Sequence, residues 1–157
     1  MLNSYTIYTD GSDFKKTTRR LGVGGVLLDG SGKLIGQFSE ELDRNLILKY
    51  YGTSECSNPF AEMVAVKIAL MRFAETIGNK KAMVTIKSDY RGVLEWVYTN
   101  NWKAKEPYIK QIRDEILEIL DKSPWIVKFE WVKGHQSIMS TDSKYNNLVD
   151  KLSKGEL

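Results

Sequence analysis

Ile7-Tyr8-Thr9-Asp10-Gly11-Ser12 (IYTDGS, residues 7–12) sets a carboxylate and a glycine directly after an apolar, β-prone run that includes Tyr5. Residues 4–10 alternate weakly and are rich in aromatic and β-branched types, which predicts a strand ending at Asp10. Alone, Asp-Gly after a strand is a turn signal. The remainder of the chain decides whether Asp10 is more than that. LGVGGVLLD (residues 21–29) reads as a second strand, DGSGK (29–33) as a hairpin turn, and 34–42 as a third strand. These three make an antiparallel meander. Residues 43–58 show no clear period, and Asn58-Pro59 closes them with a proline suited to a first helical turn.

Beyond that point the period lengthens. Val66, Leu70, Phe73 and Ile77 recur at offsets of four and three, the stripe of an amphipathic helix over 60–77. Met83 to Ile86 is a short strand leading into KSDY, so a second carboxylate, Asp89, follows apolar residues. A short helix is expected over 91–98 and a longer one over 107–120, where Ile109, Ile112 and Ile116 share a face. Residues 125–132 alternate as a strand, a polar loop comes next, and a last helix covers about 144–154. The order βββαβααβα, with connections long enough for parallel crossovers, implies an α/β fold. It is one five-stranded mixed sheet, an antiparallel meander then parallel strands, flanked by helices. Ligands in such sheets sit at the carboxyl ends of the parallel strands. Asp10 and Asp89 then emerge at one edge if their strands are neighbours.

Length and composition bound the class. The chain has 157 residues, enough for one domain with a real core, and we expect a single domain over 1–157. No apolar run approaches the roughly 20 residues of a membrane span. Met1 leads straight into strand-like sequence with no signal, transit or lipidation motif. The single cysteine, Cys56, excludes an internal disulfide and a multi-cysteine zinc site. A cytoplasmic location fits these features. The net charge of +3 permits a polyanionic partner without demanding one. Its distribution is uneven: Lys15, Lys16, Arg19 and Arg20 crowd one stretch, and Lys103 and Lys105 follow Trp102. Each cluster suits either a solvated loop or phosphate contact.

Two further carboxylates stand on helices. Glu62 is expected in the first turn of its helix, where it would also favour the helix dipole. Asp150 shares its helix with Leu148, Val149 and Leu152. Asp89, in Ser-Asp before a helix, has an ordinary role as an N-cap. Four carboxylates converging with no spare cysteine or histidine point to hard cations, and magnesium prefers carboxylate and water oxygens. Two such ions a few ångströms apart form a phosphoryl-transfer centre, one activating water and the other stabilising the leaving oxygen. His135, the one histidine, could carry protons beside them.

Together these segments resemble type 1 ribonuclease H, nearly end to end and in order: YTDGS, SNPFAEMVAV, IKSDY, FEWVKGH and NNLVDKLS. The resemblance implies the ribonuclease H-like fold and a four-carboxylate metal site at Asp10, Glu62, Asp89 and Asp150. His135 matches a loop histidine associated with proton transfer or product release. Asn58 matches an asparagine that reads the minor groove near 2′-hydroxyls, and Asn146 one near the cleaved strand. Gly11 and Ser12 match positions whose backbone approaches the RNA. The implied activity is metal-dependent hydrolysis of the RNA strand of an RNA–DNA hybrid, leaving 5′-phosphate and 3′-hydroxyl ends. Two Mg2+ ions with substrate are implied, with Mn2+ as a substitute, and a monomer is expected. A hybrid offers a wide minor groove with 2′-hydroxyls on one strand only, so contacts to sugars and phosphates suffice without sequence specificity.

The chain departs from the family pattern in three places. DFKKTTRRLGVGG after the first motif is basic rather than glycine-rich at its start. Only VYTNNWKAKE lies between Trp96 and Pro107, a shortened basic handle, and the loop between His135 and Asp150 is long. No separate hybrid-binding domain is expected before the first strand. Lys15 and Lys16, and Trp102 against a sugar–phosphate backbone, are the candidate substrate contacts that would compensate. Trp96, Trp125 and Trp131 are expected to pack. The same carboxylates on the same fold also suit a nuclease for DNA junctions, and a non-catalytic nucleic-acid-binding module is the third alternative.

Overall fold

A computed structural model describes residues 2–13, 20–52, 58–98, 107–134 and 140–156. Five strands form one sheet in the order β3-β2-β1-β4-β5. They are β1 (Asn3–Asp13), β2 (Arg20–Leu28), β3 (Leu34–Asp43), β4 (Ala82–Ser88) and β5 (Ile126–Trp131). β1, β2 and β3 pair antiparallel, whereas β4 runs parallel to β1 and to β5. The mixed sheet expected from the order of elements is therefore the one observed. The helices are α1 (Arg44–Tyr51), α2 (Asn58–Ile77), α3 (Arg91–Val93, continued by a π-helical turn over Leu94–Tyr98), α4 (Pro107–Lys122) and α5 (Thr141–Ser153).

Both faces of the sheet are covered, which explains why β1 alternates so weakly. Ile7 and Tyr8 are adjacent and both buried, on opposite faces. One face, with Ile7, Val23, Val84 and Ile86, packs on α2 and α4 through Phe60, Leu70, Phe73, Ile112 and Ile116. The other, with Tyr8, Val26 and Leu28, packs on α5 through Val149 and Leu152. A strand buried on both sides has no polar face to mark its period.

Several boundaries differ from the sequence expectation. β1 does not end at Asp10. It runs on to Asp13 because its antiparallel partner continues, with Asp10 opposite Gly24 and Ser12 opposite Gly22. Only the parallel ladder to β4 stops early, at Tyr8 opposite Lys87. α1 occupies the stretch without a clear period. Asp43 caps it, accepting a hydrogen bond from the Asn45 N–H at 2.7 Å, and Gly52 ends it at φ 73°. Its apolar residues are out of phase, with Ile47 buried while Leu46, Leu48 and Tyr50 are exposed. α2 begins at Asn58, which places Glu62 in the second turn and not the first. α5 begins at Thr141, where Ser140 accepts from the Ser143 N–H at 3.1 Å. Among the described residues, no helix is long and apolar enough to cross a membrane.

Candidate active site

The parallel register places the first two carboxylates. Tyr8 stands opposite Lys87, and two residues further along each strand come Asp10 and Asp89. Side chains two apart share a face. Asp10 therefore joins Tyr8, and Asp89 joins Lys87, on the side of the sheet that α5 covers. Asp89 lies just past the last strand residue. The N-cap of α3 falls on Tyr90, and it is the Ser88 hydroxyl that accepts from the Tyr90 N–H, at 3.1 Å. Asp89 thus does not serve as the cap that its sequence suggested.

Glu62 comes from the opposite layer, and Gly11 is what lets it arrive. A Cβ on Gly11 would stand 2.2 Å from the Ala61 carbonyl carbon, so only glycine permits β1 and α2 to approach this closely. Through that contact the Gly11 N–H donates to Glu62 Oε1 at 2.6 Å. The Ser88 hydroxyl donates to Glu62 Oε2 at 3.3 Å. Carboxylate oxygens of Asp10, Glu62 and Asp89 fall within 4.8 Å of one another.

Asp150 lies outside that trio but lines the same open groove, of about 460 Å³, with Gly11, Ser12, Tyr90, Gly134 and Lys154. Its volume leaves room for hydrated ions and a phosphate. A glycine again allows the close approach. A Cβ on Gly24, opposite Asp10, would be 2.7 Å from the Ser153 nitrogen, so α5 rests directly on β2. Asp150 is ion-paired at 3.1 Å with Lys154, which follows it by one turn and caps the end of α5.

Electrostatically the cluster is poised for a cation. Burial pushes the Asp10 carboxyl up to about 7, the charges of Asp89 and Asp150 add to the rise, and a hydrogen bond with Glu62 opposes it. Glu62 is raised well above the usual carboxylate range by burial, then by its hydrogen bond and repulsion with Asp10, with the Gly11 N–H opposing. Each carboxyl therefore takes up a proton more readily than it would in water. Three crowded carboxylates offer oxygen donors, which suit magnesium, calcium or manganese ions rather than soft metals.

The other candidates fare differently. Asn146 is buried and its amide approaches Asp89 Oδ2 at 3.5 Å, while its Oδ1 has no hydrogen-bond partner among the described residues. Asn58 is the first residue of α2. Lys15, Lys16, Trp102 and His135 lie outside the described residues. Trp125 packs edge-on against Phe73 at 4.9 Å, as expected of a core residue. Trp131 does not pack in the core. It is 39% exposed, donates from Nε1 to the Asp89 carbonyl at 3.0 Å, and carries the Arg91 guanidinium 4.3 Å over its ring. The alternation of β5 could not show this, because the strand lies at the edge of the sheet. Sequence reasoning also passed over Ser88 and Lys154. Lys154 carried a signal, its position one turn after Asp150, whereas Ser88 is recognisable only through its contact.

The family model for RNase H matches residues 2–157. Among solved structures, LC11-RNase H1, isolated from compost by a metagenomic approach, superposes with a TM-score of 0.74 at 22% identity, over 99% of this chain and 96% of that one. RNase H1 from the halophilic archaeon Halobacterium salinarum NRC-1 gives 0.72 at 19% identity, over 98% and 96%. LC11-RNase H1 in complex with an RNA/DNA hybrid gives 0.71 at 20% identity, over 96% and 97%. At these identities the likeness is one of fold. A search of curated protein sequences finds no match.

Proposed function

The chain belongs to the RNase H family, and from that premise we propose that it is a metal-dependent endonuclease hydrolysing the RNA strand of RNA–DNA hybrids. The observation that carries the proposal is the carboxylate trio gathered within 4.8 Å from β1, α2 and the end of β4, in a groove that Asp150 also lines. Crowding three carboxylates together out of water is costly, and a site in which burial and neighbouring charges raise the Asp10 carboxyl has use for a divalent cation. Asp10, Glu62, Asp89 and Asp150 would hold Mg2+, two ions when the substrate phosphate is present, with Mn2+ as a substitute. When bound, the ions supply an acidified water and positive charge at the leaving oxygen.

The chain's own residues do the rest. Glu62, fixed by the Gly11 N–H and the Ser88 hydroxyl, cannot swing away from the cluster. Asn58 and Asn146 contact the RNA strand at its 2′-hydroxyls and near the cut, and the backbone of Gly11 and Ser12 lines its path. Lys15, Lys16 and Trp102 grip the sugar–phosphate backbone. In the reaction water adds to phosphorus and the bond to the 3′ oxygen breaks. That oxygen takes a proton, leaving 3′-hydroxyl and 5′-phosphate ends. His135 moves a proton in this step. The chain acts as a monomer, since every carboxylate of the site comes from one copy.

The test is one labelled RNA strand presented as hybrid, RNA duplex and single strand, with Mg2+, Mn2+ or EDTA. Metal-dependent cutting of the hybrid alone is the expected outcome. No cutting of the hybrid under any metal, with cutting of a DNA junction, would move the assignment to a junction nuclease. A hybrid bound tightly and left intact would make the chain a binding module.

A further inference from the structure

Asp142, Asn146 and Asp150 lie at steps of four along α5 and so share one flank of that helix. The last two belong to the site. The first stands apart from it and ties the helix to two strands of the sheet. Asp142 Oδ1 accepts from the Tyr8 hydroxyl of β1 at 2.5 Å and from Lys87 Nζ of β4 at 2.8 Å. Lys87 also reaches Glu130 of β5 at 3.6 Å and stands 5.7 Å over the Tyr8 ring. The Lys87 side chain is only 18% exposed, so its ammonium depends on these acceptors. Tyr8 and Lys87 are directly opposite in the parallel ladder, two residues before Asp10 and Asp89 on the same two strands.

The arrangement is one of register. Two residues of strand advance about 6.6 Å, and four residues of helix about 6 Å. Asp142 on the Tyr8–Lys87 pair thus puts Asn146 beside Asp89, where its amide is found. From there α5 crosses the sheet until the Leu152 carbonyl accepts from the Ser39 hydroxyl of β3 at 2.6 Å. Apolar contacts under Val149 and Leu152 hold the helix down, but such contacts are non-directional and tolerate small slides and rotations. A shared carboxylate oxygen does not.

We propose that Asp142 is a positioning residue: clamped by Tyr8 and Lys87, it fixes α5 against β1 and β4 and so sets where Asp150 stands relative to Asp10, Glu62 and Asp89. The inference rests on the hydrolase assignment only in what the site is for, since the clamp itself is read from geometry. Glycine at 24 allows α5 close to the sheet, and Asp142 selects its position there. Partners that orient metal ligands are worth roughly 10–100-fold in metal affinity, and a clamp acting through two helical turns falls at the low end of that range.

The experiment compares Asp142→Asn, Lys87→Met, their double variant and Tyr8→Phe with the unaltered chain. Mn2+ binding to the substrate-free protein is measured by calorimetry, beside melting temperature and hybrid cleavage against Mg2+ concentration. Asp142→Asn and Lys87→Met should each weaken Mn2+ binding about tenfold and raise the Mg2+ needed for half-maximal cleavage in proportion. Saturating Mg2+ should restore most of the rate. The double variant should be no worse than the singles, because both break one clamp. Tyr8→Phe loses a single oxygen and keeps the fold, so it should show a smaller shift in the same direction. Lowered melting temperatures with unchanged Mn2+ affinity in all the folded variants would overturn the proposal and leave a purely structural ion pair. If the unaltered chain binds Mn2+ but cuts no hybrid, the hydrolase assignment falls, and the Mn2+ affinities still decide the clamp.

Discussion

Asp10 shows how far a side chain's meaning depends on what surrounds it. Its carboxyl titrates at about 7 in the folded protein against an ordinary value of 3.8. Between those values the folded state holds a proton that the unfolded chain releases. Its stabilising effect is therefore complete below about pH 4 and disappears as pH rises through 7. Measured in EDTA, the melting temperature should fall between pH 5 and 8. Asp10→Asn, which cannot ionise, should lose less over that range and melt several degrees above the unaltered chain at pH 8. Mg2+ should raise the melting temperature of the unaltered chain at pH 8 and do little for the variant. Equal melting curves for the two proteins at pH 8 would show that the carboxylate cluster is not strained. The same substitution should lower kcat by roughly 10³-fold or more, since it removes a charge where the ions bind. His135→Ala should slow cleavage by about 10²-fold without ending it. A loss as deep as that of Asp10→Asn would mean that His135 does more than move a proton.

At the scale of elements, glycines at two contacts matter more than any cap. Gly11 brings β1 onto α2, and Gly24 brings α5 onto β2. Gly11→Ala must push a strand and a helix apart, because the new Cβ meets backbone and not a movable side chain. We expect a destabilisation of about 1–3 kcal/mol, and loss of cleavage because the Gly11 N–H no longer holds Glu62. Urea unfolding with a parallel activity assay reads both, and a variant of unchanged stability and rate would show that the gap closes by other means. Elements whose apolar spacing marks a buried face were legible: Val66, Leu70 and Phe73 of α2 and Ile109, Ile112 and Ile116 of α4 are buried as that spacing required. α1 was not, since one buried isoleucine among exposed Leu46, Leu48 and Tyr50 gives no stripe. Asp43 and Gly52 did bracket it, a cap signal without a period to support it.

For the molecule as a whole, affinity for a polyanion depends on where a modest net charge of +3 is concentrated. Replacing Lys15, Lys16, Arg19 and Arg20 by alanine should weaken hybrid binding and reduce the slope of log affinity against log salt by up to about 0.9 for each phosphate no longer neutralised. An unchanged slope would make that cluster a solvated stretch. Apart from α1, the order of elements, the mixed sheet and the four carboxylates were all present in the sequence, because strand and helix periods and the turns between them are local properties. Local properties could not show that β1 runs past Asp10, since an antiparallel partner on another strand extends it. Nor could they show that Glu62 is held by a backbone N–H from another layer, that Trp131 braces the Asp89 backbone, or that Asp142 is bound to Tyr8 and Lys87. The sequence by itself determined which residues are able to bind a cation and in which elements they lie. Only the tertiary structure decided which of them meet, because distances between side chains depend on strand register and layer spacing, which arise when distant segments pack.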